Sequence, residues 1–164
     1  MKVGVLSDTH ICRLEQAQQL AVRLLQGPFA KVDAILHAGD AVIADLENCF
    51  YPLPWYAVRG NMDQQLFDLP VSRVLNLAGI KVGLVHGWGD VDGIEQRVMA
   101  HFYGYDLAAI VFGHSHQPVC RKEGSLLLLN PGSATDRRNA PAHTVGILTI
   151  EEHKEISAEI IPLD

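Results

Sequence analysis

Cysteine is scarce. The 164 residues hold three, Cys12, Cys49 and Cys120, far apart and with no C-x-x-C pair. An odd, scattered set supplies no disulfide framework, so a reducing cytoplasm is the expected compartment. Long apolar runs are lacking too. None approaches the ~20 residues that span a bilayer, and Lys2 is followed only by Val3–Leu6 before Ser7 and Asp8, too short a run for a secretory leader. Positive charge is in deficit, 13 Lys+Arg against 19 Asp+Glu for a net charge of -6. That excludes bulk electrostatic coating of nucleic acid or an anionic membrane, although it leaves room for a local positive site. No repeat, low-complexity tract or Ser/Gly linker divides the chain, so residues 1–164 are expected to form one domain.

What the chain does have is bulk. With 48% hydrophobic and 20% charged residues, a domain of this length buries roughly 70% of the surface its unfolded chain exposes. It needs no metal to fold, so a metal here would serve chemistry. Short apolar runs recur, each stopped by turn-forming or polar residues: Lys2–Leu6, Ala34–Leu36, Trp55–Val58, Val82–Val85, Ala108–Phe112 and Leu126–Leu129. Such runs predict buried strands. Helical spacing of Ala17, Leu20, Ala21, Leu24 and Leu25 predicts a helix over 15–26, stopped by Gly27-Pro28. Weaker patterns predict helices over 94–102 and 41–50. Strand–helix alternation in the first half implies parallel pairing by crossover. From Gln117 the pattern becomes back-to-back strands over 118–122, 126–129, 143–150 and 156–161, with a tight turn at Glu123-Gly124.

The polar clusters sit where strands end, which is where open α/β sheets bind ligands. Asp8 and His10 lie two apart, as do His114 and His116, and in extended chain such pairs project to one side. Asp40, Asn61 and His86 each add an N or O donor directly after an apolar run, beside Gly39, Gly60 and Gly87. Any one of these pieces is ordinary turn chemistry. Together they offer four imidazoles, two carboxylates and an amide oxygen, with no thiolate. That set suits Mn, Fe, Zn, Ni or Co better than a pure oxygen cage for Ca.

Asp8-Thr9-His10, Gly39-Asp40, Gly60-Asn61, His86-Gly87 and Gly113-His114-Ser115-His116 stand in the order of the metallophosphoesterase, or calcineurin-like phosphoesterase, superfamily, which the sequence resembles over nearly its whole length. Asn130-Pro131-Gly132-Ser133 resembles a late signature of its small bacterial and archaeal phosphodiesterase branch, a branch similar to the metallophosphoesterase-like subunit of retromer. The resemblance implies a four-layer α-β-β-α sandwich of two mixed sheets flanked by helices. It also implies two divalent ions, with Mn the preferred choice and Mg also open. One ion would take Asp8, His10, Asp40 and His116; the other would take Asp40, Asn61, His86 and His114. Asp40 and Asn61 are thus expected to serve catalysis. A hydroxide shared between the ions would attack a small phosphate diester in line.

The match departs from the family pattern in places. Met62 stands where many phosphomonoesterases of the superfamily carry a His, and a thioether donates no proton. The change favours diesters over monoesters. Ile11 replaces a frequent Gly and implies a locally different loop, while Trp88 replaces a frequent His and is read as a packing residue or pocket wall. Asp63 reads as a turn cap, His37 as a packed histidine beside the ligands, and His101 and His153 as ordinary positions. Arg137 and Arg138 are read equally as phosphoryl-binding forks or a solvated basic loop. The alternatives are a phosphomonoesterase and an interaction scaffold with a vestigial site. Homo-oligomers are left open, and no membrane partner is expected.

Overall fold

The computed structural model describes residues 1–151 and 155–164; His153 lies outside the described residues. The elements run β1 (Lys2–Leu6), α1 (Leu14–Leu25), β2 (Ala34–His37), α2 (Asp45–Asn48), β3 (Trp55–Ala57), β4 (Ser72–Leu77), β5 (Ile80–Val85), α3 (Ile94–His101), β6 (Ala109–Val111), β7 (Val119–Glu123), β8 (Leu126–Asn130), β9 (Thr144–Ile150) and β10 (Ile156–Pro162). They form two five-stranded sheets, ordered β10-β9-β1-β2-β3 and β4-β5-β6-β8-β7. In the first, β1, β2 and β3 are parallel, and β9 and β10 extend the sheet antiparallel. In the second, β5, β6 and β8 are parallel between antiparallel edges β4 and β7. No helix among the described residues is long and apolar enough to cross a membrane.

The layers follow from the two-residue period of the strands. Val3, Val5, Ala34 and Leu36 pack against Val82, Leu84, Ala109, Val111, Leu127 and Leu129 in a core between the sheets. Their strand neighbours point outward. Leu6, Ile35 and Ile147 meet Ala17, Leu20 and Leu24 of α1, and Ile110 and Leu128 meet Ile94 and Val98 of α3. The α-β-β-α sandwich expected from the sequence is the fold found.

Each outer layer uses a strand glycine to admit an aromatic ring. A Cβ on Gly4 would lie 2.9 Å from the Phe29 ring, and one on Gly83 would lie 3.0 Å from the Phe102 ring. The sequence reading differs from the structure in three elements. It missed β4, a half-exposed edge strand; the two positive-φ residues Ala78 (φ 49°) and Gly79 (φ 83°) join it to β5 in a two-residue hairpin turn. The expected helix over 41–50 shrinks to α2, because Ala41–Ala44 run as a non-helical loop beside Asp40. The tight turn after β7 is Gly124-Ser125, since Glu123 still pairs with Leu126.

Phe29→Ala is expected to cost about 3–5 kcal/mol and Gly4→Ala about 1–3 kcal/mol. In the Phe29→Ala background the Gly4→Ala cost should fall by about 1 kcal/mol or more, because the contacting ring is gone. Urea unfolding of the four proteins measures this, and equal costs in both backgrounds would show that Gly4 does not serve Phe29.

Candidate metal centre

The carboxyl ends of the parallel strands lead into the polar turns. Asp8–His10 follow β1, Gly39-Asp40 follow β2, Gly60-Asn61 lie just beyond β3, His86 follows β5 and His114–His116 lie just beyond β6. Asp8, His10, Asp40, His114 and His116 adopt left-handed backbone, with φ of 53°, 46°, 59°, 70° and 57°. This region is unfavourable for residues with a Cβ and concentrates at functional sites. Left-handed turns therefore aim Asp8 and His10, and His114 and His116; the expected side-by-side projection from extended chain is corrected. Backbone bonds hold the first turn to the second, from Asp8 N–H to Gly39 O (2.9 Å) and from His10 N–H to Asp40 O (3.0 Å).

All seven sequence-predicted donors come together. Asp8 is fully buried; its Oδ2 accepts from the Ser7 hydroxyl (2.6 Å) and His114 N–H (2.9 Å). Its Oδ1 is buried without a hydrogen-bond donor and lies 3.5 Å from His116 Nε2 and 3.9 Å from His86 Nε2. Asp40 Oδ2 lies 3.4 Å from His86 Nε2 and 3.8 Å from His10 Nε2. The tautomers follow from partners that can only accept. His86 Nδ1–H donates to Ala38 O (2.7 Å), His116 Nδ1–H to Asp136 O, and His114 Nε2–H to Gly89 O (2.8 Å). Each ring's other nitrogen turns inward. His116 Nε2 faces His10 Nε2 at 3.2 Å, and the Asn61 amide oxygen lies 3.1 Å from both His86 Nε2 and His114 Nδ1.

Electrostatics follow this geometry. Burial raises the Asp40 carboxyl, but the His86 hydrogen bond and charge and the Met62 N–H (2.7 Å) hold it below the usual carboxylate range. Burial works against protonation of His86, yet Asp40 and Asp8 raise it above the ordinary imidazole value. A bare buried carboxylate oxygen and facing ring nitrogens call for positive charge. One donor atom each from Asp8, His10 and His116 lie within 4.8 Å of one another, as do those from Asp8, Asp40 and His86. The donors fit divalent metal ions with imidazole and carboxylate ligands.

Sequence reasoning gave too little weight to the supports. Asp63, read as a turn cap, is a buried carboxylate accepting from Asp40 N–H (2.8 Å), Val42 N–H (2.7 Å) and Gly60 N–H (2.8 Å). It clamps the loops after β2 and β3 together. In the late Asn-Pro-Gly-Ser segment, Ser133 donates to Asp8 O (2.8 Å), and Asn130 donates to Gly113 O (2.9 Å) and Ser115 Oγ (3.0 Å). Thr135, just beyond it, donates to Thr9 O (2.5 Å). Their signal was polar residues in an otherwise apolar stretch. His37 is buried, stacked on Trp55, and accepts from Gly39 N–H at Nδ1 (3.2 Å) while its Nε2 meets Thr9 Oγ1 (3.1 Å). That fixes it neutral.

The remaining positions sort by exposure. Met62 is 53% exposed beside the centre, and Ile11 is buried against α1. Trp88 packs edge-on to His101, whose Nε2 meets Ser72 Oγ at 2.9 Å. Arg137 donates to Ala140 O (2.7 Å) within its own loop, while Arg138 Nε lies 3.6 Å from Asp136 Oδ2.

A model of the calcineurin-like phosphoesterase superfamily domain matches residues 1–153. A probable metallophosphoesterase of Methanothermobacter thermautotrophicus is 36% identical over 98% of this chain and 92% of its own. Among solved structures, a predicted phosphoesterase of Streptococcus pneumoniae matches with TM-score 0.78 at 24% identity, over 98% of this chain and 88% of that one. A structure described as a novel archaeal phosphodiesterase matches with TM-score 0.73 at 22% identity, over 98% and 100%. Zinc-bound Vps29 of Entamoeba histolytica matches with TM-score 0.71 at 19% identity, over 100% of both chains. At these identities the structural likeness is one of fold.

Asp63→Ala strands three backbone donors and should cost about 3 kcal/mol or more in the metal-free protein, with Asp63→Asn intermediate. Chemical denaturation reads this; a loss under about 1 kcal/mol would deny the clamp. A second outcome concerns pH. Burial lowers the His37 pKa from 6.5 to about 4. The unfolded chain therefore binds this proton first, and stability should fall as pH drops from 6.5 towards 4, by roughly 3 kcal/mol from this group. His37→Gln should flatten that part of the pH–stability curve, whatever its cost at neutral pH.

Proposed function

The chain belongs to the calcineurin-like phosphoesterase superfamily, and from that premise we propose that it is a metal-dependent phosphodiesterase working with two divalent ions. The observation that carries the reading is Asp8 Oδ1, a buried carboxylate oxygen with no donor, turned towards imidazole nitrogens. Asp8, His10, Asp40 and His116 would hold one ion, and Asp40, Asn61, His86 and His114 the other. The reach of Asp40 Oδ2 towards both His10 and His86 supports its place between them. When bound, divalent ions supply Lewis acidity to a phosphoryl oxygen and acidify water, and their charge outweighs the two carboxylates, drawing a phosphate to an acidic protein. Donors that mix imidazole with oxygen and include no thiolate admit Mn, Fe, Zn, Ni or Co, and Mn heads the preference on the family resemblance.

The chain's own residues do the positioning. Backbone carbonyls lock three histidine tautomers, so their inward nitrogens hold fixed directions. Asp63 and Ser133 hold the loops that carry Asp40 and Asp8. Met62 offers no proton to a leaving oxygen, which favours diesters with stable leaving groups over alkyl monoesters. Arg137 donates to its own loop and Arg138 Nε lies 3.6 Å from Asp136 Oδ2, so either would have to leave a partner to meet substrate oxygens.

Saturation with Mn is expected to load two ions per chain. Asp40→Ala should empty both sites and His10→Ala mainly one, by calorimetry or elemental analysis. Met62→His should raise alkyl monoester hydrolysis more than aryl diester hydrolysis, since a well-placed general acid contributes about 10²–10⁴-fold. Equal change in kcat/KM for both substrates would reject the account of Met62. No diester hydrolysis with any divalent metal would pass the reading to the scaffold alternative.

A further inference from the structure

Two clefts adjoin the donor set, and they begin at different ends of it. One, of about 670 Å³, starts at His10; the other, of about 630 Å³, starts at Asn61. The contacts order the donors between them. His10 faces His116, His116 faces Asp8, His86 faces Asp8 and Asp40, and Asn61 meets His86 and His114. No described residue lines both clefts. Both volumes fall within the ~300–1,000 Å³ typical of small-molecule sites. A monoester has one arm to place, whereas a diester has two.

Their linings favour the same chemistry. The His10 cleft has a buried apolar floor of Ile11, Leu20 and Ala134, under the exposed amides of Gln16 and Gln19. Its cationic and acidic groups already have partners: Arg23 donates to Leu163 O, His143 Nδ1 lies 3.0 Å from Asp164 Oδ2, and Asp136 Oδ2 lies 3.6 Å from Arg138 Nε. The Asn61 cleft is lined by Arg59, Gln64, Gln65 and Phe67 and by no carboxylate; Phe67 is 76% exposed. An amide offers both donors and acceptors, and an exposed ring is a stacking platform for a planar base. The two clefts therefore suit planar, hydrogen-bonding arms.

Resting on the phosphodiesterase reading above, we infer that the substrate is a phosphodiester with two nucleoside-sized arms, one seated against Gln16 and Gln19 and the other against Phe67. Both positions are exposed, so substitutions there should leave the fold intact.

The test uses two probes that release the same 4-nitrophenolate: thymidine 5′-(4-nitrophenyl) phosphate and methyl 4-nitrophenyl phosphate. The Mn-loaded wild type should prefer the thymidine probe by roughly ten-fold or more in kcat/KM. Phe67→Ala and the double variant Gln16→Ala/Gln19→Ala should each lose several-fold on the thymidine probe, mainly through KM. On the methyl probe, whose aryl group fills a single cleft, one variant should be slowed and the other unchanged. Phe67→Tyr, which keeps the ring, should retain the preference. If the variants change both probes by the same factor, if they change neither, or if the wild type shows no preference, the two-arm inference falls while continued hydrolysis leaves the phosphodiesterase reading standing. If the wild type cleaves neither probe, both fall.

Discussion

Two carboxylates held out of water set the terms for this molecule. Asp8 and Asp40 are 0% and 2% exposed, and buried charge is tolerated only with partners. Around them the chain does what burial demands. Asp8 Oδ2 receives the Ser7 hydroxyl and His114 N–H, Asp40 Oδ1 receives Met62 N–H, and imidazoles face the remaining oxygens. The crowding explains two glycines. A Cβ on Gly113 would lie 1.8 Å from Ser7 Oγ, and one on Gly60 would lie 2.1 Å from Asp40 Oδ1. Neither place admits any side chain without moving an oxygen of the centre.

The sandwich gives these groups their separation. Asp8, Asp40 and Asn61 hang from the sheet containing β1, β2 and β3, whereas His86, His114 and His116 hang from the sheet containing β5 and β6. The centre therefore straddles the two sheets, with His10 the one imidazole on the carboxylate side, and the apolar layer between the sheets fixes how far the acids stand from His86, His114 and His116. Close packing makes that spacer stiff. Left-handed backbone at five donor residues is unfavourable locally, and bonds such as Asn130 to Gly113 within one sheet and Ser133 to Asp8 between the sheets offset it. The geometry of the donor set and core packing are thus coupled although no donor belongs to an apolar cluster.

The fold and the seven donors were legible because both leave one-dimensional traces. Buried strands such as Ala34–His37 write unbroken apolar runs, and the donors follow those runs directly. β4 left a weaker trace, since an edge strand with half-exposed residues lacks a clean run. Helix α2 was overread because Ala41–Ile43 are apolar yet their backbone turns left-handed at Val42, whose N–H donates to Asp63. Asp63 was undervalued for a similar reason. Its partners Asp40, Val42 and Gly60 are separated in sequence and meet only once β2 and β3 pair. The aim of Asp8 and His10 was equally hidden, because Asp and His are only enriched in left-handed backbone and most of them lie outside it.

Exposure divides the site into a buried part that holds the carboxylates and an exposed rim. Asp8, Asp40, His86 and His116 are buried, and altering any of them leaves a buried partner unmatched. Met62, Phe67, Gln16 and Gln19 are exposed, and none of the hydrogen bonds around the centre uses their side chains. Met62 shows the division within one residue: its backbone N–H holds Asp40 Oδ1 while its side chain is 53% exposed. The backbone contribution survives any side chain except proline, which lacks the N–H. Side chains at the rim can therefore change at little cost in stability, while the donor set and its clamps stay fixed. A single scaffold of this kind can serve different phosphate esters through substitutions that never touch the carboxylates at its centre.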